Sequence, residues 1–122
     1  MLKSIVFDLD DTICKPNHEY TDTYNKYSRA EPINEVINKI NLLHDLGYYV
    51  IISTARRMLT HDGDINKIIE DVGDVTEAWL DEHGVNYDNI IFGKPYSSTY
   101  YIDDKAMNVD DFLEWNFDEW NI

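Results

Sequence analysis

Short runs of aliphatic and β-branched residues alternate along this chain with longer stretches in which apolar residues recur at helical spacing. The first short run, at residues 4–7, stops abruptly at an acidic sequence, and similar runs occupy residues 48–52, 89–92 and 99–102. Short apolar runs bounded by polar residues are typical of strands that are buried on both faces in a parallel sheet. The pattern therefore predicts four strands.

Helical patterns fill most of the gaps between these runs. Pro32 suits the first turn of a helix, the apolar residues after it recur every three or four positions, and Gly47 supplies a stop. Weaker periodicity predicts helices over residues 65–71 and 75–83, and one amphipathic helix in the acidic, aromatic tail at residues 109–120. Strands that alternate with helices predict an α/β domain with a doubly wound, mostly parallel sheet.

Length and charge narrow the choice of function. The chain has 122 residues, which suits a single domain over residues 1–122. Its 24 acidic residues against 10 basic ones give a formal net charge of -14, which disfavours extended binding to nucleic acids or anionic membranes. The single cysteine, Cys14, allows no intrachain disulfide, and we find neither a signal pattern nor a membrane-spanning run. We therefore expect a cytoplasmic protein.

Each predicted strand ends in polar residues that can do chemistry. Because ligands bind beyond the carboxyl ends of the strands in an open parallel sheet, we expect these side chains to meet in one pocket. In chain order they are Asp8, Asp10, Thr54, Lys94, Asp103 and Asp104.

Carboxylates, a hydroxyl and an ammonium group together fit the handling of phosphate. Clustered carboxylates repel one another unless a hard cation lies among them, and their oxygen atoms suit Mg²⁺. A carboxylate that attacks phosphorus divides hydrolysis into two easier displacements, and a second carboxyl can transfer the protons. Lys94 would neutralise charge on the transferred phosphoryl group, and Thr54 would hydrogen-bond one of its oxygens.

The sequence DLDDT at positions 8–12 resembles the D-x-D-x-T signature of the haloacid dehalogenase-like (HAD) hydrolase superfamily. Thr54, Lys94 and the acidic pair at 103–104 resemble its second, third and fourth motifs, in the same order and over essentially the whole chain. The resemblance implies a phosphatase in which Asp8 is the nucleophile and Asp10 the general acid–base. It also implies that Mg²⁺ is held by Asp8, by the backbone carbonyl of Asp10, and by Asp103 or Asp104.

Residues 52–57, 91–95 and 101–106 are similar to small phosphatases of capsular polysaccharide biosynthesis. This closer resemblance implies a phosphorylated sugar or polysaccharide precursor as substrate. Members of the superfamily usually carry a cap domain, but the polar, tyrosine-rich residues 15–31 allow only a flap, and helices use most of residues 57–90. The chain resembles a capless member, whose open site admits large substrates or borrows a lid from another subunit of a homo-oligomer.

Two residue assignments stay open on sequence grounds. Ser53 competes with Thr54 as the hydroxyl of the second motif, and Thr54 is favoured because the sequence TAR resembles the T-G-R form common at that place. Arg56 either binds the phosphate or sugar of a substrate or forms a structural ion pair in this acid-rich sequence.

Two other functions fit parts of the same pattern. The same chemistry could act on polynucleotide ends or free nucleotides, although the net charge of -14 argues against a long nucleic-acid track. A signalling receiver domain also surrounds Mg²⁺ with an acidic pair, a phosphorylated Asp, a Ser or Thr and a Lys. In a receiver the acidic pair comes first, whereas here it comes last, and receivers lack the second carboxylate that Asp10 supplies.

Overall fold

The computed structural model describes residues 3–95 and 100–116 of the chain. Within these residues, the strands of the central sheet are separated by helices, as the sequence predicts. The elements are β1 (Ser4–Asp8), β2 (Cys14–Lys15), α1 (Thr23–Ser28), β3 (Glu31–Pro32), α2 (Asn34–Asp45), β4 (Tyr49–Thr54), α3 (Ile65–Glu82), β5 (Asn89–Phe92) and α4 (Val109–Glu114).

A parallel sheet of three strands in the order β1-β4-β5 forms the centre of the fold. Asp8 lies opposite Ser53 on the neighbouring strand, and Thr54 lies opposite Phe92. Because all three strands run the same way, their carboxyl ends meet at one edge of the sheet. The predicted α/β fold with a parallel sheet is therefore confirmed.

The core lies against one face of this sheet. Along β4, alternate residues are fully buried, whereas on the opposite face Val6 of β1 is 60% exposed. Helices α2 and α3 contribute apolar side chains to the buried face. The large buried residues there include Phe7, Val36, Ile40, Leu43, Val50, Ile52, Trp79 and Leu80.

Helix α2 begins two residues later than predicted. Pro32 lies in β3, where it is the partner of Cys14 in an antiparallel pair, and the helix starts at Asn34. A proline has no N–H to donate, so it is tolerated in a short edge strand as well as in a first helical turn. Together with α1, the β2–β3 pair builds the small flap predicted from the sequence.

A single helix, α3, replaces the two helices predicted around residues 65–71 and 75–83. Gly73 lies in its middle and is buried, and a Cβ there would come within 3.2 Å of the Ile69 side chain. Glycine in a helix interior costs about 1 kcal/mol relative to alanine. Burial of the apolar stripe outweighs this cost, so the helix continues through Gly73.

The predicted fourth strand is not formed over its described part. Residues 100–102 have no regular secondary structure, and Tyr100 and Ile102 are 93% and 100% exposed. An apolar run forms a strand only where a neighbouring strand pairs with it, and no pairing includes these residues. Thr99 lies outside the described residues.

The tail packs back onto the domain through α4. Phe112 is buried and meets the ring of Phe7 edge-on, with a centroid distance of 5.1 Å. The Lys39 ammonium donates hydrogen bonds to the carbonyls of Phe112 and Trp115, which lie at the end of the helix. The predicted helix extends to residue 120, but residues 117–120 lie outside the described part. In the described residues, no helix has the length and apolar character needed to cross a membrane.

Candidate active site

Two of the predicted site residues meet at the carboxyl edge of the sheet. Asp8 ends β1, and the ammonium Nζ of Lys94 lies 3.2 Å from its Oδ1. Both side chains are partly exposed, Lys94 at 24% and Asp8 at 37%. The ring of Tyr101 lies against the same ammonium, with its centroid 5.0 Å away. The pair is therefore formed and is open to solvent.

The turn after β5 holds Lys94 in this place. The backbone N–H groups of Gly93 and Lys94 both donate to the carbonyl of Thr54, at 3.2 and 3.1 Å. Gly93 has a φ of +101°, and a Cβ there would lie 2.2 Å from Cδ1 of Ile65. The backbone conformation thus favours glycine at this position, whereas the contact alone would require only a shift of the terminal Ile65 methyl.

A tight loop after β1 presents the two acidic residues of the first motif. The N–H groups of residues 12–14 all donate to the carbonyl of Leu9, and Asp11 has a left-handed φ of 65°. Thr12 directs its hydroxyl at Oδ2 of Asp8, at the long distance of 3.5 Å. Leu9 is buried beneath the loop, which keeps its backbone in position.

Asp10 is paired with Arg56. The guanidinium donates from Nε to Oδ2 at 3.0 Å and from Nη2 to Oδ1 at 2.8 Å. The Arg56 side chain has no exposed surface, so its charge needs a partner, and the Asp10 carboxylate provides one. Of the two roles open for Arg56, the structure has the ion pair. The predicted contact between Arg56 and a substrate stays a prediction, and the Arg56 side chain has no exposed surface in this structure.

Two residues that hold Arg56 are not identified as site residues from the sequence. Thr76 of α3 accepts a hydrogen bond from Nη1 at 2.9 Å, and the guanidinium carbon lies 4.1 Å from the ring centroid of Tyr27. No local signal marks Thr76, which is 20 positions from Arg56 along the chain. Only the packing of α3 against the loop after β4 brings them together.

Two neighbouring residues, Ser53 and Thr54, are the candidates for the hydroxyl of the second motif. Thr54 is only 1% exposed, and its Oγ1 accepts a hydrogen bond from the N–H of Arg56 at 3.1 Å. Ser53 is the register partner of Asp8 and is less buried. Because paired residues point to the same face of a sheet, Ser53 lies on the side of Asp8 and Thr54 on the core side. Thr54 thus stabilises the turn after β4 in this structure.

Of the predicted magnesium ligands, Asp8 lies at the carboxyl edge of the sheet beside Lys94. Mg²⁺ usually takes one or two protein carboxylates, together with water and substrate oxygens, and Asp8 fits that requirement. Asp103 and Asp104 lie in an exposed segment, where Asp103 Oδ1 accepts a hydrogen bond from the N–H of Lys105 at 2.8 Å. Over residues 3–95 and 100–116, no group of three or more His, Cys, Asp or Glu side chains is placed to hold a metal ion. Asp103 and Asp104 stay predicted ligands of the ion.

Cys14 lies beside Asp10 and Arg56 but is not a nucleophile. Its side chain is fully buried, and burial, reinforced by the Asp10 carboxylate, raises the pKa of the thiol from 9.0 to about 12. Burial likewise raises the pKa of the Tyr27 hydroxyl. The reactive form of cysteine is the thiolate, so this thiol is inert at neutral pH.

We expect native Cys14 to react with a thiol reagent such as iodoacetamide far more slowly at pH 8 than in urea-unfolded protein. A pKa shift from 9.0 to about 12 lowers the thiolate fraction roughly 10³-fold. Alkylation rates in the two states check this, and equal rates would contradict it. Because the folded pKa lies above the unfolded one, the thiol's contribution to stability is full below about pH 9 and is lost as the pH rises towards 12.

Comparison with solved structures identifies the family. A target protein from Vibrio cholerae, solved as a crystal structure, is 35% identical and superposes with a TM-score of 0.83, covering 97% of this chain and 93% of its own. This chain belongs to the same family as the Vibrio cholerae protein. Neither a protein-family profile nor a curated protein matches the sequence.

More distant structures show the fold of this family. A chain of the Pnkp1/Rnl/Hen1 RNA repair complex matches with a TM-score of 0.54 and 18% identity, over 93% of this chain and 30% of that one. A D,D-heptose 1.7-bisphosphate phosphatase from B. bronchiseptica, complexed with magnesium and phosphate, matches with a TM-score of 0.50 and 15% identity, over 80% and 54% of the two chains. The fold of the family is HAD-like, as the sequence predicts, and the described residues contain no cap domain.

Proposed function

We propose that this HAD-like protein is a magnesium-dependent phosphatase that forms an aspartyl-phosphate on Asp8. The observation that carries the proposal is the pair of Asp8 and Lys94, 3.2 Å apart and partly exposed at the carboxyl edge of the sheet. A carboxylate at this edge can reach a phosphorus atom from solvent. The ammonium group beside it can neutralise the charge of the arriving phosphoryl group.

The reaction consists of two displacements. In the first, a carboxylate oxygen of Asp8 bonds to phosphorus while the bond from phosphorus to the leaving oxygen breaks, and Asp10 in its acid form gives that oxygen a proton. In the second, a water oxygen attacks phosphorus and loses a proton to the Asp10 carboxylate. The bond from phosphorus to Asp8 then breaks, which releases phosphate and restores both carboxyl groups.

Magnesium is the proposed cofactor, as in the B. bronchiseptica phosphatase that was solved with magnesium and phosphate. When bound at Asp8, the ion would supply positive charge to the phosphoryl oxygens. The backbone carbonyl of Asp10 and a carboxylate of Asp103 or Asp104 remain the further predicted ligands. Lys94 supplies the protein's own cation at the same place.

A phosphorylated sugar or polysaccharide precursor is the proposed substrate class. The resemblance to phosphatases of capsular polysaccharide biosynthesis favours it, and so does the exposure of the site, since the Asp8 side chain is 37% exposed. Tyr101, which is 52% exposed beside Lys94, offers an aromatic surface at the mouth of the site. Aromatic rings of this kind suit the apolar faces of sugars.

We expect the purified protein to hydrolyse an aryl phosphate with Mg²⁺ and to lose activity at least about 10²-fold with EDTA, since a Lewis-acid ion contributes several kcal/mol to such reactions. Re-addition of Mg²⁺ after EDTA serves as the control and restores the rate. Unchanged turnover in EDTA would contradict the magnesium dependence. Stoichiometric phosphorylation without turnover would instead indicate a receiver-like domain.

A substrate panel then tests the proposed class. Sugar phosphates, nucleotides and 3′-phosphorylated oligonucleotides are compared by kcat/KM in the same buffer with Mg²⁺. We expect the sugar phosphates to be preferred. A preference for oligonucleotide ends would overturn the substrate class and leave the phosphatase assignment intact.

A further inference from the structure

Arg56 is a fully buried cation, and its hydrogen bonds are made within the protein. Its Nε and Nη2 atoms both bond the Asp10 carboxylate, at distances of 3.0 and 2.8 Å. Two roughly parallel hydrogen bonds between a guanidinium and a carboxylate fix the plane of the carboxylate as well as its position. A lysine in the same place would hold the charge but not the plane.

The guanidinium is itself held from three sides. Its Nη1 atom donates to Oγ1 of Thr76 at 2.9 Å, and the ring centroid of Tyr27 lies 4.1 Å from the guanidinium carbon. The backbone N–H of Arg56 is bonded to the hydroxyl of Thr54. Contacts from α1, from the end of β4 and from α3 therefore set the orientation of the guanidinium that pairs with Asp10.

The Asp10 side chain remains partly exposed to solvent although it is paired with Arg56. Its side chain is 26% exposed, whereas that of Arg56 is 0% exposed. A carboxylate has about four lone-pair sites, so the contacts from Arg56 leave acceptor capacity on the exposed side. An acid–base group must come within about 2.6–3.2 Å of the proton it transfers, and small misplacements are costly to the rate.

We propose that Arg56 is a positioning residue, which orients the Asp10 carboxyl group towards the leaving oxygen of the substrate. This inference rests on the proposed function, in which Asp10 transfers the proton. Arg56 does not contact the substrate, because its buried donors serve Asp10, Thr76 and, at a distance of 3.5 Å, the sulfur of Cys14. Arg56 also connects the flap to the site, because Tyr27, which contacts the guanidinium, belongs to α1.

The test compares Arg56→Met and Arg56→Lys on a series of aryl phosphates whose leaving groups range from good to poor. A misaligned acid harms poor leaving groups most, since they need the proton. We expect Arg56→Met to lower kcat about 10²-fold or more for the poorest leaving group and much less for the best. Arg56→Lys should restore part of the loss, because it keeps the charge without the two-pronged contact.

Arg57→Met is the matched control. Arg57 is the next residue in the same loop and is also ion-paired, with Nε 2.8 Å from Oδ2 of Asp71 rather than with Asp10. We expect Arg57→Met to change kcat by the same factor for aryl phosphates with good and with poor leaving groups. Thr76→Val removes one support of the guanidinium and keeps its pair with Asp10, so it tests the proposal even if Arg56→Met does not fold. We expect it to give a smaller loss with the same dependence on the leaving group.

The outcomes separate this inference from the proposed function. Equal losses for good and poor leaving groups in active, folded Arg56 variants would overturn the positioning role and leave the phosphatase assignment standing. A rise in KM with unchanged kcat would overturn it in favour of substrate binding by Arg56. Wild-type protein that turns over no aryl phosphate would overturn both.

Discussion

Asp8→Asn is expected to abolish phosphate release while the fold stays intact. Asparagine matches the size of aspartate, but its neutral amide is a far poorer nucleophile than a carboxylate and cannot form the aspartyl-phosphate. Loss of a catalytic nucleophile typically lowers kcat by several orders of magnitude, so we expect a fall of at least about 10³-fold. The side chain is 37% exposed and outside the core, and a pair exposed to this degree contributes only about 0–1 kcal/mol. The free energy of unfolding should therefore change little.

The measurement is phosphate release from an aryl phosphate with Mg²⁺, together with urea denaturation of each variant. Asp11→Asn is the matched control. Asp11 is an exposed acid in the same loop, and asparagine tolerates its left-handed φ of 65°. We expect this variant to keep nearly full activity. Hydrolysis by Asp8→Asn at the wild-type rate would end the assignment of Asp8 as nucleophile.

Trp79→Ala is expected to lower the free energy of unfolding by about 3–5 kcal/mol. Trp79 is only 2% exposed and lies in α3 within the main core. Its Nε1 donates to the carbonyl of Ala30 at 3.0 Å, so the indole also ties the flap to the helix. Alanine would leave a cavity and an unpaired buried carbonyl, and both are destabilising.

Urea denaturation followed by circular dichroism measures this loss. Glu77→Ala is the control, because Glu77 is exposed on the same helix and its replacement should change the free energy of unfolding by no more than about 0.5 kcal/mol. Trp79→Phe separates the two effects, since it keeps most of the buried area and loses the hydrogen bond. A loss below about 1 kcal/mol for Trp79→Ala would show that the indole is not part of the core.

Local patterns in the sequence predict the strands of the sheet and the residues at its carboxyl edge. The strand at Asn89–Phe92 has the predicted bounds, and β1 ends at Asp8, one residue beyond the predicted apolar run. Parallel strands bring their ends to one edge whatever the details of packing, so the meeting of Asp8 with Lys94 follows from the fold class. These features depend on short-range periodicity and on topology.

Other features depend on contacts between distant parts of the chain. Gly73 suggests a break in the helix, but burial of the neighbouring side chains makes α3 continuous. The apolar run at 99–102 pairs with no strand over its described residues. Which of Ser53 and Thr54 shares a face of the sheet with Asp8 depends on the register of β4 with β1. Periodicity measures the preference of a segment, whereas such outcomes are decided by what packs against it.

The sequence by itself determined a parallel α/β fold with an acidic residue and a lysine at one edge of the sheet. Only the tertiary structure decided which residues Arg56 contacts, since from the sequence it was equally suited to a substrate or to an ion pair. The physical reason is burial: a guanidinium with no exposed surface must find its partners inside the protein, and Asp10 and Thr76 provide them.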